Sequence, residues 1–324
     1  MEKARHIAVI GSLSMDLVLT MPKLPQVGET LKGNSFNTFV GGKGNNQALA
    51  MARLGAKTAM LGKLGKDAYA DAILACLSEN GVECRYMLSA EKVGTGIANI
   101  WVNSKGENEI VIIANSNGEL KPSDIDEQVG IFEDATLLVM QLEIPLETVI
   151  YAAEQARAKG IAVLLNPAPA PVGGLPQELL SKIDYIVPNE TETEILTGID
   201  PSDEVKALAA GKALLDKGIG CAILTLGARG AVIVAKEPFE KAENDAANSI
   251  FYKFTPAPPV KVIDSTAAGD AFVGGMAAAL SRGESLSQAV AEGCAAGSLA
   301  CTKAGAAPSL PSRLELDKLL KLPA

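Results

Sequence analysis

The sequence predicts an α/β fold in which a mostly parallel central sheet is covered by helices on both faces. Short, continuously apolar runs recur along the chain, and amphipathic stretches of helical length separate them. Strands that are apolar on both faces are typical of parallel sheets with helices packed on each side. Two turn-rich regions, about 13–40 and 95–114, break this alternation and contain no helix pattern. They predict a small antiparallel β layer that serves as a lid over the main sheet.

The individual elements follow from apolar runs, helical periodicity and the glycines that end them. Strands are predicted at 7–10, 58–61, 136–140, 161–165, 185–187, 221–225 and 260–263. Helices are predicted at 45–54, 67–80, 146–159, 205–217 and from Ala268 to Leu280. The polar segment 241–248 is expected to be a surface excursion. No repeat or linker divides the chain, so we expect residues 1–324 to form a single domain with its lid.

The composition excludes several kinds of chemistry. The 324 residues are 48% hydrophobic and 21% charged, which is typical of a folded chain, and the net charge of −9 argues against nucleic-acid binding. The chain has one histidine, His6. Ser-His-Asp and Cys-His sites, HExxH zinc sites and haem ligation by histidine are therefore disfavoured. The chemistry must use carboxylates, lysine, backbone amides or a cofactor.

The cysteines and the apolar runs bear on the compartment. The cysteine count is odd and no C-x-x-C spacing occurs, which argues against a disulfide framework and a zinc site. The five cysteines are Cys76, Cys84, Cys221, Cys294 and Cys301. No signal-peptide pattern is present, and no run reaches the roughly 18 apolar residues that span a membrane. We expect a cytoplasmic protein with thiols that are buried or incidental, and no partner among nucleic acids or membranes.

The segment 263–275, IDSTAAGDAFVGG, contains the strongest motif of the chain. A turn of small residues leads into a helix that starts near Ala268. Small side chains let an anion approach the backbone, and the first N–H groups of the helix form an anion hole. Asp270 lies in the first turn, where it could accept a hydroxyl proton during attack on a bound phosphate. The structural alternative is that Asp270 only caps the helix.

A second motif, VGGKGNNQA at 40–48, places glycines before a polar helix start. It is not a Walker loop, because the G-x-x-x-x-G-K-[ST] spacing is absent. Paired amide side chains with close backbone approach suit a polyol. A polar loop followed by a capped helix is the structural alternative. The presence of two such helix starts in one chain favours the functional interpretation.

Two further segments follow predicted strands. The acidic segment 188–194 suits a water-shelled Mg²⁺ beside a nucleotide, although an acidic helix start explains it equally well. The glycine turn 225–230 is, taken alone, a hairpin turn. No G-x-G-x-x-G follows the first strand, which weakens an oxidoreductase interpretation.

These four segments, in this order, resemble the ribokinase-like (PfkB-type) family of carbohydrate kinases. The resemblance extends from 11–16 to 305–311, with 41–48 and 264–270 as the two signature regions; 166–169 and 188–192 also match. It implies a three-layer ribokinase-like fold with a β-sheet lid. It further implies ATP-dependent phosphorylation of D-ribose at O5, giving D-ribose 5-phosphate, by a homodimer joined through the lid.

The resemblance also implies residue roles. Asp270 would be the catalytic base, with the amides of Ala267, Ala268 and Gly269 as the anion hole. The sugar would be bound by Ser14, Asp16, Gly42, Lys43, Asn46, Glu143 and Asp270. ATP would contact Asn189, Thr225, Leu226, Gly227, Ala228, Arg229, Gly230 and Gly269. An activating monovalent cation, K⁺, would lie among Asp264, Thr266, Ala300, Lys303, Gly305 and Ser309, and Glu192 would organise Mg²⁺ through water.

One departure from the family pattern leaves the substrate open. The family's ribose-specific members commonly have asparagine where this chain has Ser14, and that side chain reaches the secondary hydroxyls of the sugar. The alternatives are the same chemistry on 2-deoxyribose, a keto-sugar acid, fructose or a nucleoside. A nucleoside would need a stacking aromatic in the lid, and Trp101 and Phe39 are the candidates. A catalytically inactive sugar sensor is the alternative from another class.

Overall fold

Ten strands form the central sheet of the computed structural model, which describes residues 5–321. In chain order, the strands of the structure are β1 (His6–Ile10), β2 (Ser14–Thr20), β3 (Ser35–Gly41), β4 (Thr58–Leu61), β5 (Lys63–Leu64), β6 (Val82–Glu83), β7 (Leu88–Ser89), β8 (Gly96–Val102), β9 (Asn108–Ile113), β10 (Ala135–Met140), β11 (Ala162–Leu165), β12 (Tyr185–Ile186), β13 (Cys221–Thr225), β14 (Ala231–Ala235), β15 (Glu243–Asp245) and β16 (Ile250–Thr255). Their order in the central sheet is β15-β16-β14-β13-β12-β11-β10-β1-β4-β6. From β13 to β6 the neighbours are parallel, and β14, β16 and β15 add an antiparallel extension.

Helices cover both faces of this sheet, as the sequence predicts. They are α1 (Lys43–Arg53), α2 (Ala68–Glu79), α3 (Pro122–Glu127), α4 (Leu146–Ala158), α5 (Gln177–Leu180), α6 (Glu190–Thr197), α7 (Glu204–Asp216), α8 (Ala268–Ser281), α9 (Leu286–Ala300) and α10 (Arg313–Lys321). In β1, Ile7 and Val9 belong to the apolar core that α1, α2, α8 and α9 cover, whereas Ala8 and Ile10 belong to the core that α4 and α7 cover. All four side chains are fully buried, which explains the continuous apolar run. No helix among residues 5–321 is long and apolar enough to cross a membrane.

The predicted small layer is a separate four-stranded sheet in the order β3-β2-β8-β9. It was expected to be antiparallel, and that expectation is wrong for one pair: β2 and β8 run parallel, with Asp16 opposite Ala98. The long connection between them, which contains α1 and α2, acts as a crossover and returns the chain in the same direction. A two-stranded sheet of β5 and β7 completes the structure.

Most predicted elements agree with the structure within two residues, and the exceptions have physical reasons. The predicted strand at 260–263 does not form. Pro258 and Pro259 supply no N–H group for a ladder, Val262 and Ile263 are exposed, and the Ile263 N–H donates to the Cys301 carbonyl instead. The polar segment 241–248 is an excursion that contains the short edge strand β15.

A close contact between α1 and α8 brings the two motif-bearing helix starts together. Gly274 in α8 lies against Ala50 of α1, and a Cβ at position 274 would overlap the Cβ of Ala50. Helices approach this closely only where side chains are small. The N-termini of both helices consequently open at the carboxyl-terminal edge of the parallel strands, which is where open α/β sheets bind ligands.

Candidate active site

Asp270 lies in the first turn of α8 and contacts the first turns of α1. Its Oδ2 accepts a hydrogen bond from Asn46 Nδ2 (3.0 Å), and its Oδ1 accepts one from Gln47 Nε2 (2.9 Å). The N-cap of α8 is Ala267, and no side chain caps that helix. The interpretation of Asp270 as a helix cap is therefore wrong. The carboxylate is buried, with 8% of the residue exposed.

Electrostatics hold Asp270 between opposing influences. Burial raises its pKa, whereas Lys43 and the amide donors Asn46 and Gln47 lower it, and burial prevails. A carboxylate whose charged form is costly in the free site is a stronger proton acceptor than an exposed aspartate. Asp270 therefore has the character required of a general base.

At the predicted anion hole, the backbone before α8 leaves two of the three N–H groups without an acceptor among residues 5–321. Ala267 adopts the left-handed conformation (φ 59°), which turns the chain into the helix. The Ala268 N–H donates to the Ser265 carbonyl (3.2 Å), so it is already engaged. No acceptor for the N–H groups of Ala267 and Gly269 lies within residues 5–321. These two amides and the helix dipole are available to an anion.

The start of α1 depends on Gly42 and Glu143. Gly42 has φ 91°, and a Cβ there would lie 2.8 Å from Leu13 Cα. Glu143 Oε2 accepts from the Lys43 N–H (3.2 Å) and from Ser12 Oγ (2.6 Å), and Glu143 Oε1 lies 3.8 Å from Lys43 Nζ. Glu143 thus fixes both the backbone and the side chain of Lys43.

Lys43 neutralises several carboxylates at once. Burial lowers the pKa of its ammonium, but the negative charges of Asp270, Glu143, Glu192 and Asp16 raise the pKa more, so the group stays charged. The lysine therefore supplies a positive charge between the two helix starts.

Asp16 lies near the same charges, close to the start of β2 in the small sheet. Ser14 Oγ donates to Asp16 Oδ1 (3.1 Å). Burial raises the pKa of Asp16 to about 6; Glu143 and Asp270 add to this rise, and the Ser14 hydrogen bond and Lys43 oppose it. Asp16 is thus charged at neutral pH but close to its titration range, and Ser14 is engaged with it.

An inner pocket of about 180 Å³ opens beside Asp270 and the Gly269 amide. It is formed where β11, β12 and β13 end and where α1 and α8 begin. Its lining residues are Lys43, Asn166, Ala168, Val187, Asn189, Glu192, Thr225, Ser265, Ala267, Ala268, Gly269 and Asp270. One lysine, two helix amides and two carboxylates in this volume suit a phosphate with a divalent cation.

Glu192 and Asn189 are held in one capping box at the start of α6. The Glu192 carboxylate accepts from the Asn189 N–H (2.9 Å) and Nδ2 (2.9 Å), and Asn189 Oδ1 accepts from the Glu192 N–H (2.8 Å). Burial raises the pKa of Glu192 in spite of these bonds and of Lys43. Asn189 and Glu192 thus cap α6 and also line the inner pocket.

An outer cleft of about 780 Å³ continues from the inner pocket, with which it shares Asn189, Thr225, Ser265, Ala268 and Gly269. Of the predicted turn 225–230, four residues line the cleft; Leu226 is buried in the core, and Arg229 binds Glu190 (2.6 Å) and the Ser202 carbonyl (2.9 Å). The lining residues that sequence analysis missed are Glu190, Thr191, Ala257, Pro258, Pro259, Val260, Val262, Phe272, Cys294, Gly297, Ser298 and Cys301. Their largely apolar character suits a flat heterocycle.

Of the predicted cation-binding residues, Asp264, Thr266 and Gly305 are joined by hydrogen bonds. Asp264 Oδ1 accepts from the Thr266 N–H (2.9 Å) and Oγ1 (2.6 Å), and Asp264 Oδ2 accepts from the Gly305 N–H (2.8 Å). Burial raises the pKa of Asp264, but these hydrogen bonds outweigh it and lower the pKa. Ala300 and Lys303 share one turn, in which the Lys303 N–H donates to the Ala300 carbonyl (3.3 Å).

Lys303 and Ser309 are placed differently within that loop. The Lys303 ammonium pairs with Glu315 (2.6 Å), so only its backbone is available to a cation. Ser309 is fully buried, and its Oγ donates to the Ala306 carbonyl (2.8 Å). The loop is joined to Asp264 through Gly305.

Comparison with known proteins identifies the family of the chain. Residues 4–313 match the family described as pfkB family carbohydrate kinase. The chain belongs to the pfkB family of carbohydrate kinases. A ribokinase from Haemophilus influenzae is 38% identical and a deoxyribokinase from Salmonella typhimurium 37% identical, each aligned over 98% of this chain and 99% of the relative.

Solved structures of pfkB-like kinases share the fold. A ribokinase from Arabidopsis thaliana, complexed with ribose and ATP, has a TM-score of 0.90 at 31% identity and covers 99% of this chain and 100% of its own. A ribokinase from Thermotoga maritima has a TM-score of 0.85 at 33% identity, with coverage of 98% and 100%. The expected fold class, with its mostly parallel sheet and separate small sheet, is confirmed.

Proposed function

We propose that this sugar kinase transfers the γ-phosphoryl group of ATP to O5 of D-ribose. The observation that carries the proposal is the convergence of two helix starts on one buried carboxylate: α8 supplies Asp270 and free amides, and α1 supplies Lys43 and Asn46. The inner pocket holds the transferring phosphate and the outer cleft holds the nucleoside. The ribokinase relatives, one of them complexed with ribose and ATP, support this assignment.

The proposed reaction transfers one proton to Asp270 and one phosphoryl group to the sugar. Asp270 accepts the proton of the sugar O5–H, O5 forms a bond to the γ-phosphorus, and the bond from that phosphorus to the β,γ-bridging oxygen breaks, which releases ADP. The amides of Ala267 and Gly269, together with Lys43, stabilise the charge on the transferring group. Asp16, Asn46 and Glu143 hold the sugar so that O5 faces Asp270.

The residues present fit the two cations that the family resemblance implies. Glu192 and Asp270 line the inner pocket, and Glu192 would hold Mg²⁺ through water, because Asn189 already occupies both of its oxygens. Bound Mg²⁺ supplies positive charge to the phosphates. A K⁺ ion would take oxygen ligands from Asp264 and from carbonyls of the 300–309 loop. This site adjoins the anion hole, since Asp264 and Ala267 lie in one turn.

We expect exchange of K⁺ for Na⁺ to lower kcat several-fold, because the smaller ion requires shorter distances than a site built largely on backbone carbonyls provides. Initial rates of ADP release at constant ionic strength measure this. Asp264→Asn should raise the K⁺ concentration that gives half-maximal rate. Equal rates in K⁺, Na⁺ and tetramethylammonium would contradict the proposed site.

The acceptor is the part of the proposal that needs its own test. Sequence identity over the whole chain does not separate ribose from 2-deoxyribose as the acceptor, because a ribokinase relative is 38% identical and a deoxyribokinase relative 37% identical. ADP release should be measured with D-ribose, 2-deoxyribose, fructose, 2-keto-3-deoxygluconate and adenosine. The highest kcat/KM for D-ribose is the expected result. Preference for another sugar would move the assignment to that acceptor, and absence of turnover with every acceptor would favour a sugar sensor.

Ser14→Asn is expected to raise the preference for ribose over 2-deoxyribose about fivefold. Ser14 Oγ is engaged with Asp16 (3.1 Å), whereas a longer amide can also reach a secondary hydroxyl of the sugar. One such hydrogen bond contributes about 1 kcal/mol, which corresponds to roughly a fivefold ratio. The ratio of kcat/KM values for the two sugars measures it, with Ser14→Ala as the control that only removes the hydroxyl. A ratio unchanged in both variants would exclude position 14 from specificity.

Sugar affinity should depend on pH through Asp16. Its pKa of about 6 means that the side chain is a carboxylate above this pH and a neutral acid below it. A charged acceptor binds hydroxyls more strongly than a neutral one, so KM for the sugar should rise as pH falls through 6. In Asp16→Asn, KM should be high and nearly independent of pH between 5 and 8. A wild-type KM that is flat across this range would contradict the role.

We also propose a homodimer joined through the small sheet. Its edge strand β9 exposes Ile110, Val111, Ile112 and Ile113, and Phe36 of β3 is exposed on the same sheet. A run of exposed apolar side chains on an edge strand is a typical interface. The same sheet contributes Ser14 and Asp16 through β2, which supports its role as a lid.

The five free cysteines are compatible with the proposed cytoplasmic location.

A further inference from the structure

Gln47 is a buried polar residue that no role described so far uses. It lies one position after Asn46 in α1, has no exposed surface and lines neither the inner pocket nor the outer cleft. Its Nε2 nevertheless donates to Asp270 Oδ1 (2.9 Å) and to Asn166 Oδ1 (3.0 Å). Its Oε1 accepts from Gln141 Nε2 (2.6 Å). A fully satisfied amide buried at this depth is costly to replace and restricts its neighbours.

Asn166 and the Val187 carbonyl fix the orientation of the Gln47 amide group. Asn166 Nδ2 donates to the Val187 carbonyl (2.8 Å), which can only accept. The Asn166 Oδ1 must therefore face Gln47 as an acceptor, and Gln47 must present Nε2 to it. Because the same Nε2 group carries two hydrogens, its second one is directed at Asp270.

The hydrogen bond from Gln47 affects the charge state of Asp270. A hydrogen bond donated to a carboxylate favours the charged form and lowers the pKa, and Gln47 is one of the groups that lower the pKa of Asp270 against burial. Asn46 also donates to Asp270, but it was assigned to sugar binding and can exchange partners when the sugar arrives. Gln47 has no exposed surface, and buried protein groups bind both ends of its amide, so an arriving sugar does not compete for it.

We propose that Gln47 is a positioning residue that keeps Asp270 ionised and holds its carboxylate in the orientation that receives the sugar proton. The Val187 carbonyl fixes the orientation of Asn166, and Asn166 fixes that of Gln47, whose Nε2 donates both to Asn166 and to Asp270. This inference rests on the proposed role of Asp270 as the base, and it adds a determinant of the pH range in which that base works.

The test is the pH dependence of kcat at saturating sugar and Mg-ATP, where sugar binding through Asp16 no longer limits the rate. Gln47→Met keeps the side-chain volume and removes the donor. The acidic limb of its kcat profile should move to higher pH by about one unit, with KM values for sugar and ATP changed less than threefold. Gln47→Glu should move the limb at least as far, because two adjacent carboxyl groups resist joint ionisation.

Gln141→Leu is the matched control. It removes a buried amide from the same network but leaves the bond from Gln47 to Asp270, so the thermal midpoint should fall while the acidic limb stays in place. A Gln47→Met enzyme that is less stable but has the wild-type limb would overturn the proposal and leave Gln47 a purely structural role. If Gln47→Met does not fold, an unshifted limb in Gln47→Glu overturns it equally.

Failure of the underlying function is distinguishable from these outcomes. If wild-type protein shows no sugar phosphorylation, or if Asp270→Asn retains the wild-type kcat, then Asp270 is not the base and the proposed function fails whatever the Gln47 variants show. If both of those controls behave as expected, the limb positions report on Gln47 alone.

Discussion

Replacing Asp270 by asparagine is expected to lower kcat by about 10²–10⁴-fold, the range that a positioned general base contributes. Asparagine retains the shape of the side chain and can still accept one hydrogen bond, but it cannot take up the O5 proton. Sugar and ADP should continue to bind, because the remaining sugar contacts and the outer cleft are unchanged. Initial rates give the loss, and calorimetric titration with D-ribose and with ADP gives the retained binding.

A matched control separates loss of the base from loss of a negative charge at a helix start. Asp203 caps α7 by accepting from the Lys206 N–H (2.8 Å), and it lies away from both pockets. Asp203→Asn keeps a good capping residue and should leave kcat unchanged. A kcat for Asp270→Asn within tenfold of wild type, in protein that binds sugar normally, would show that Asp270 is not the base.

The segment that contains Asp270 could be identified from sequence as a candidate site because its residues are contiguous. The turn of small residues, the helix start and the carboxylate all lie between 264 and 270. Their surroundings could not be predicted in the same way. The partners that hold Asp270 are 223 and 224 positions away in the chain, and only the packing of α1 against α8 brings them together.

The outer cleft shows a second limit of sequence reasoning. The sequence predicts α8 as a helix, but which residues of α8 and α9 face a cleft depends on how the helices pack, and Phe272 and Cys294 also belong to the apolar core. Val260 and Val262 were predicted in a strand for a similar reason. An apolar run does not reveal whether ladder partners exist, and here the run lines the cleft instead.

Lys43→Met is expected to lower kcat/KM for the sugar by about 10²–10³-fold, similar to the loss of one preorganised donor in other active sites. Lys43 is the one cationic side chain that lines the inner pocket in the part of the chain that the structure describes. Without it, the charges of Asp270, Glu143, Glu192 and Asp16 are no longer balanced, and the incoming triphosphate adds more negative charge. Methionine retains most of the aliphatic stem, so packing should change little.

The same substitution predicts a change in pH dependence, which distinguishes a charge effect from a packing effect. Lys43 lowers the pKa values of both Asp16 and Asp270, so its loss should raise both. The acidic limb of kcat and the rise of sugar KM should therefore both move to higher pH, whereas Gln47→Met moves only the first. Lys63→Met is the control. Lys63 is largely buried and pairs with Asp124 (2.8 Å) outside both pockets, so its loss should lower stability without altering either pH profile. Profiles that stay at their wild-type positions in Lys43→Met would mean that the lysine charge does not tune the site. Since Asp16 belongs to β2 of the small sheet and Asp270 to α8, parallel shifts would show that one ammonium couples the proposed sugar-binding carboxylate to the proposed base.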